Sequence, residues 1–377
     1  MNVQDTGLLV LHFGGPQNVS EVEPFLYQLF SDKDCIKLPL SPVLQKPFAK
    51  TISKRRAPET AAQYAEIGGG SPLVSRTFEQ VDALRQMLLK EGITLPIAVG
   101  MRYTPPFIEQ AVRELKEKKV KKIIMLALYP HYSIATSGSA FNEAVRAIDA
   151  LSYHDVRITV VPAWPTEPDY IWAMADLLRR GLSRFPTGAD VHVLFSAHGL
   201  PTSYVKDGDP YPNHIQQTIA AVMQILGPAT PTYTLAYQSR VGPARWLSPS
   251  TDDELIRLGC AGVRNLLVVP VSFVCDHIET LYEIAVTYRT LAQTWGIDRF
   301  EQTDALNCHP QFISALKNIV IRALNQAGRR CVRCLLPRPP LIEFQKKCVD
   351  CGFREPEFVK WQIRYQGEGA GAIAGKE

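Results

Sequence analysis

Four sets of side chains in this 377-residue chain have types and spacings that could do chemistry. The sharpest is Cys331, Cys334, Cys348 and Cys351 in "CVRCLLPRPPLIEFQKKCVDC", a C-x2-C-x13-C-x2-C pattern. Four thiolates in two such pairs can wrap a tetrahedral Zn2+ or anchor an iron–sulfur cluster, and spacing alone slightly favours zinc. The second set is an acid row behind "VVPVSFV". Asp276, Glu279 and Glu283 stand at i, i+3 and i+7, one face of a helix, with His277 among them. Such a row is either a solvated stripe or a relay that carries protons and a cation into a cleft. An Asp three residues ahead of a Glu at a helix start is also close to a capping box, which would account for Asp276 and Glu279 but not for His277 or Glu283. The buried strand in front favours the cleft.

The third is His198 in "SAHGLP". It is either a general base near neutral pH or a loop histidine bonded to nearby backbone. The fourth is a pair of glycine turns. "YAEIGGGSPL" could present backbone N–H groups to an anion, and "HFGGP" is a tight turn. Neither has a Walker A ending or dinucleotide spacing, so nucleotide binding gains little. Arg55 and Arg56 could fork onto carboxylates, although a solvated basic turn is the default for such a pair.

These residues need elements to hold them. Short apolar strands at 7–13, 96–101, 122–128, 157–163, 192–197, 232–237 and 265–273 alternate with amphipathic helices at 78–91, 106–119, 139–151, 169–184, 212–226, 251–259, 277–295 and 310–326. That alternation predicts parallel sheets covered by helices on both faces. The strands divide near 150–170, so two doubly wound domains facing a cleft are expected. No internal sequence repeat accompanies them. In open parallel sheets ligands bind beyond the carboxyl ends of the strands, where His198, the acid row and "HFGGP" fall.

Composition excludes several classes. Hydrophobic residues make up 46%, enough for a sizeable core, and a net charge of +4 does not argue for nucleic acid. "MNVQDTG" has no basic or apolar signal region, and the longest apolar runs are too short to span a bilayer, so a cytoplasmic protein is expected. Residues 36–48, "IKLPLSPVLQKPF", leave peripheral membrane contact open. Cys35, Cys260, Cys275 and Cys308 read as free thiols, and the tail "GEGAGAIAGKE" reads as disordered.

Taken jointly, "GLLVLHFGGP", "KRRAPETAAQYAEIGGGSPL", "YPHYSIATSGSAFN", "LFSAHGLP", "GDPYP", "YQSRVGPARWLSPSTDDEL" and "VPVSFVCDHIETLYEI" resemble the ferrochelatases, which insert ferrous iron into a porphyrin late in haem synthesis. The resemblance spans roughly residues 6–325. It implies two Rossmann-like, four-stranded parallel domains of chelatase type plus a cysteine-rich extension. The expected division is 1–160, 161–305, a helix within 306–330 packing back on the core, and 331–377. It carries the catalytic histidine onto His198, the essential glutamate onto Glu279 and the second acid onto Glu283. Porphyrin-binding positions fall on Arg56, Tyr64 and Ser71, with Phe13 and Trp246 in the apolar wall and Arg102 and Tyr103 nearby.

His198 is then the proton acceptor and Glu279 its acid or iron-handling partner, with Asp276 both cap and relay. Coproporphyrin-using members carry tyrosine where this chain has Phe13, so protoporphyrin IX is the expected partner of Fe2+; a coproporphyrin enzyme and a non-catalytic porphyrin carrier are the alternatives. His12 stands where many relatives have asparagine. Several members carry a C-terminal [2Fe–2S] cluster, which turns the cysteine reading from zinc towards a cluster. A homodimer is expected by analogy alone.

Overall fold

The computed structural model describes residues 3, 5–36, 44–227 and 231–326. Four strands, β1 (Thr6–His12), β2 (Ile97–Met101), β3 (Lys122–Ala127) and β4 (Arg157–Val161), form a parallel sheet in the order β2-β1-β3-β4. A second parallel sheet of β5 (Val191–His198), β6 (Tyr233–Gln238), β7 (Asn265–Pro270) and β8 (Arg299–Gln302) repeats that order as β6-β5-β7-β8. The alternation of side chains along a strand explains why both faces are apolar. Leu8 and Val10 of β1 point into a central core, while Leu9 and Leu11 point into an outer one. In the second sheet Leu267 and Val269 share the central core, and Leu266 and Val268 face outward.

Helices α1 (Val22–Ser31), α2 (Gln45–Glu66), α3 (Leu73–Lys90), α4 (Ile108–Glu117), α5 (Ser139–Ala150) and α6 (Pro168–Leu182) accompany the first sheet and the crossing to the second. Helices α7 (Thr202–Lys206), α8 (Tyr211–Leu226), α9 (Thr251–Cys260), α10 (Arg289–Thr294) and α11 (Pro310–Gln326) follow. The central core joins both sheets through residues of α3, α6, α8 and α11, such as Leu84, Leu178, Ile215 and Phe312.

Three elements escape a periodicity argument. Strand β8, "RFEQ", has Phe300 as its single apolar residue, because a sheet edge tolerates charge. Helix α2 buries Gln45, Ala49, Ser53 and Tyr64 and contains Pro58, so it shows no apolar stripe. The segment Glu279–Tyr288 is a π-helix rather than the first part of an α-helix, and a shorter π turn, Ile134–Gly138, precedes α5. The two lie at matching places, each after the third strand of its sheet.

Buried polar contacts stitch the halves together. Gln80 of α3 donates to the carbonyls of Val274 and Asn307 at 2.9 and 3.0 Å. Asp209 accepts from Ser133 Oγ and the Ile134 amide, both at 2.8 Å, and the Tyr132 amide donates to His214 Nδ1 at 3.1 Å. His131 Nε2 meets Thr218 Oγ1 at 2.8 Å.

Two of the three amides in the glycine loop are spent on the chain itself. Gly68 and Gly69, at φ +104° and +92°, donate to Ala65 O and Tyr64 O and so close the end of α2. The four clustered cysteines, most of the 36–48 stretch and the C-terminal tail lie outside the described residues. Cys35, Cys260, Cys275 and Cys308 are free thiols.

Candidate active site

Strand β5 ends on His198, and its backbone is fixed from both sides. The His198 amide donates to Ser272 Oγ at 3.0 Å, and Tyr211 Oη donates to the His198 carbonyl at 3.0 Å. Ser272 and Tyr211 also meet each other at 2.7 Å. Immediately after His198, Gly199 lets Trp246 close over the backbone: a Cβ there would lie 3.1 Å from Trp246 Cε3 and 2.7 Å from Gln238 O.

The π-helix opening on Glu279 brings an acid to that histidine. Glu279 Oε2 lies 3.3 Å from His198 Nδ1 and 3.1 Å from His277 Nε2. The first distance is ion-pair contact whose alignment falls short of a hydrogen bond, and Nδ1 has no other partner. His277 Nδ1 faces the Cys275 carbonyl at 3.1 Å, which can only accept. Both nitrogens of His277 therefore point at acceptors, so a proton must lie between Nε2 and Oε2. A proton on Nδ1 of His198 facing the same oxygen leaves its Nε2 as the free lone pair.

Charges follow from this layout. Loss of solvent around the ring works against a charged His198, but Glu279, by charge and contact, and then Glu283, by charge, outweigh it and raise the pKa above the ordinary histidine value. The His198 side chain is 39% exposed, so solvent still reaches it. Burial would raise Glu279, yet the contacts of His198 and then His277 overcome it and hold the carboxyl well below the usual carboxylate range. Glu283 moves the other way. Burial and the charge of Glu279 raise it, against the Ser239 and Tyr288 hydrogen bonds.

Glu283 is the most tightly held acid. It accepts from the Ser239 amide at 2.9 Å, Ser239 Oγ at 2.6 Å, Tyr288 Oη at 2.8 Å and Gln238 Nε2 at 3.3 Å. Ser239 takes φ +64° to do so. These donors are invisible to motif reasoning; the available signal was a polar residue directly after a strand end.

Asp276 departs from the expected row. It precedes the π-helix, accepting from Asn307 Nδ2 at 2.8 Å and Thr280 Oγ1 at 3.2 Å, while its amide donates to Asn307 Oδ1. The capping box is absent too, since Glu279 turns to the histidines instead of back to the chain.

The first domain supplies an opposing wall. Phe13 packs edge-on against Tyr103 and Phe25, with ring centroids 4.6 and 6.2 Å apart. Tyr64 is buried, and its hydroxyl is pushed upward by burial and by the charge of Glu279 from the second sheet's side. Arg56 lies over the Phe30 ring. Ser71 sits where a Cβ on Gly15 would collide with its Oγ, and it accepts from the Leu73 amide just ahead of α3.

Arg102 and Tyr103 have their polar ends committed elsewhere. Arg102 pairs with Asp32 at 3.0 Å and donates to Ser139 Oγ at 2.8 Å, and Tyr103 Oη donates to Asp32 at 2.6 Å. The buried Asp32 and Ser139 were not anticipated. Trp246 borders a cavity of ≈ 270 Å³ lined by Thr202, Lys206, Arg245, Leu247 and Ser248. Among the described residues no three His, Cys, Asp or Glu side chains are gathered to hold a metal ion.

Comparison with known proteins identifies the family. A family model described as "Ferrochelatase" matches residues 5–324. A relative named "Ferrochelatase" from Trichodesmium erythraeum is 46% identical over 329 residues, covering 86% of this chain and 84% of that protein. Another of the same name, from a Synechocystis species, is 46% identical over 339 residues, covering 88% and 86%. Among solved structures, SirB from Bacillus subtilis with Fe3+ aligns at a TM-score of 0.51 and 12% identity, covering 85% of this chain and 95% of that one. That likeness shows the fold alone.

Proposed function

This chain belongs to the ferrochelatase family, and from that premise we propose that it inserts Fe2+ into protoporphyrin IX with His198 as proton acceptor. The observation that carries the reading is the placement of Glu279 Oε2 between His277 Nε2 and His198 Nδ1. Metallation must remove two pyrrole protons while a hydrated ferrous ion loses water. With Nδ1 directed at Glu279, His198 presents Nε2 to a pyrrole N–H, and the ionised carboxylate stabilises the imidazolium that forms. Glu283, raised in pKa by burial and then by the charge of Glu279, is a second station for a proton beside that acid. Carboxylate oxygens also suit a hard divalent ion during its transfer.

Phe13 favours protoporphyrin IX over coproporphyrin. It is built into an aromatic wall with Tyr103 and offers no hydroxyl to an additional carboxylate. Arg56, Tyr64 and Ser71 are the proposed carboxylate-end contacts, with Trp246 closing the far side. Steady-state iron insertion into the two porphyrins tests both levels of the reading. Turnover on protoporphyrin IX that vanishes in His198→Ala is expected. Wild-type-like rates in that variant would remove the assignment, and faster turnover on coproporphyrin would reverse the substrate.

The C-terminal thiols are proposed to hold a [2Fe–2S] cluster in preference to zinc. Their donor set, two CxxC pairs, suits either group. A cluster would supply one-electron chemistry when bound, and no metallation step is assigned to it. A brown protein with visible charge-transfer bands is expected; a colourless zinc protein would overturn the choice.

We also propose a cytoplasmic homodimer whose 36–48 region touches a membrane surface. The exposed Leu44 and Phe48 support that contact. Light scattering and vesicle co-sedimentation test it, and a monomer that ignores lipid would refute it.

A further inference from the structure

Strands β1 and β5 hold the same place in their sheets, and each ends in histidine. His12 closes the β1–β2 register opposite Met101, and His198 closes the β5–β6 register opposite Gln238. His12 is thus the topological counterpart of His198 at the ligand-binding end of the other sheet.

Its protonation is fixed by a hydroxyl. Thr77 Oγ1 donates its single proton to the Leu73 carbonyl at 2.7 Å, so it can only accept from His12 Nδ1 at 2.8 Å. The ring proton is therefore pinned on Nδ1, and Nε2 carries a lone pair.

His131 gives a useful contrast. Its Nε2 is anchored on Thr218, whose hydroxyl donates to the Pro165 carbonyl, but its other nitrogen is sealed from water without a partner. His12 is itself buried, at 4% exposure and edge-on to Tyr129, but its second nitrogen is not cut off from solvent as that of His131 is. A neutral imidazole with one N–H anchored and the other nitrogen without a hydrogen-bond partner is how metal-ligating histidines are held.

We propose that His12 Nε2 is a ligand for the substrate ferrous ion, a holding position at the carboxyl end of β1. The inference rests on the ferrochelatase reading above. Water completes the coordination of the ion there, and the imidazole is exchanged for porphyrin nitrogens as the ion moves on. The protonation logic assigns different labour to the two equivalent histidines. His198, beside a carboxylate, is poised to gain a proton; His12, beside a hydroxyl, is poised to remain unprotonated and bind a cation.

The test compares initial rates over a range of Fe2+, under anaerobic conditions, for the full chain and its variants. His12→Asn installs the residue that many family members carry, so a folded protein is expected. Its apparent KM for Fe2+ should rise about tenfold while its KM for porphyrin stays unchanged. Thr77→Val, which frees the ring proton to move to Nε2, should shift the iron KM in the same direction, and Thr77→Ser should restore it.

Co2+ titration followed by visible absorbance gives a readout independent of turnover: a ligand-field change present in wild type should be lost in His12→Asn. An unchanged iron KM in an active His12→Asn enzyme overturns the inference. Wild type that never metallates porphyrin refutes the ferrochelatase reading instead. Should His12→Asn not fold, identical Co2+ spectra for Thr77→Val and Thr77→Ser overturn the inference on their own.

Discussion

Replacing Glu279 by glutamine isolates the proton-holding step from the shape of the site. A glutamine carbonyl oxygen can sit where Oε2 sits, accepting from His277 and lying against His198, so the local fold should persist. The negative charge and the capacity to share a proton are lost. At the 3.3 Å separation of His198 and Glu279, the Coulomb attraction is roughly 1 kcal/mol at a water-like dielectric and roughly 5 kcal/mol at an effective value of ~20. The 39% exposure of His198 places the interaction towards the lower end.

Loss of charge stabilisation together with loss of a proton partner should lower kcat by about 10² or more. The pH profile carries the sharper signature. In wild type Glu279 helps hold the His198 pKa above the ordinary value, so the acid limb of kcat/KM should lie above the usual histidine range. Without Glu279 the opposing effect of desolvation is left less compensated, and the limb should move to lower pH. Metallation followed by loss of porphyrin fluorescence between pH 5.5 and 9 measures both effects. An acid limb that stays in place, or a rate within threefold of wild type, would refute the relay.

Three further outcomes are expected. Asp32→Asn breaks the buried group of Arg102, Tyr103 and Ser139 and leaves Arg102 short of a charge partner. A loss of about 3 kcal/mol is expected by analogy with other broken buried pairs, and an unchanged thermal midpoint would contradict it. Ser239→Ala removes one donor to Glu283; kcat should fall severalfold with intact porphyrin affinity, and steady-state kinetics separates the two.

Stability should also fall on mild acidification. His12 and His214 have folded pKa values pushed down to about 3 and about 4, mainly by burial. The unfolded chain therefore binds more protons once pH drops below about 6.5. Their contribution is complete above that value and is lost as pH falls towards the folded pKa values. Urea midpoints at pH 7.5 and 5.0 should show the decrease, and equal midpoints would refute it.

Much of the fold was legible because parallel strands buried on both faces write themselves as continuous apolar runs. "GLLVLHF", "KIIMLAL" and "NLLVVPVSF" each led to a strand. Edge strand β8 was not legible, since burial demands little of it. The α1–α2 excursion was obscured by its prolines and by small or polar buried residues such as Ala49 and Ser53. Spacing placed Glu279 and Glu283 together, but it assumed α-helical geometry and so counted Asp276 with them; the π-helix starts only at Glu279. What spacing cannot show is orientation. That Glu279 turns to His198 rather than capping its own helix depends on the second sheet bringing β5 and β7 side by side.

The contacts that stitch the two halves have a mechanical consequence. Gln80 reaches into the second domain, and Asp209, His214 and Thr218 grip three consecutive stretches of the first. Swinging the halves apart like jaws would strand buried donors and acceptors at each of these points. Opening between the two sheets is therefore costly along this seam, and any yielding of the protein falls to segments away from it.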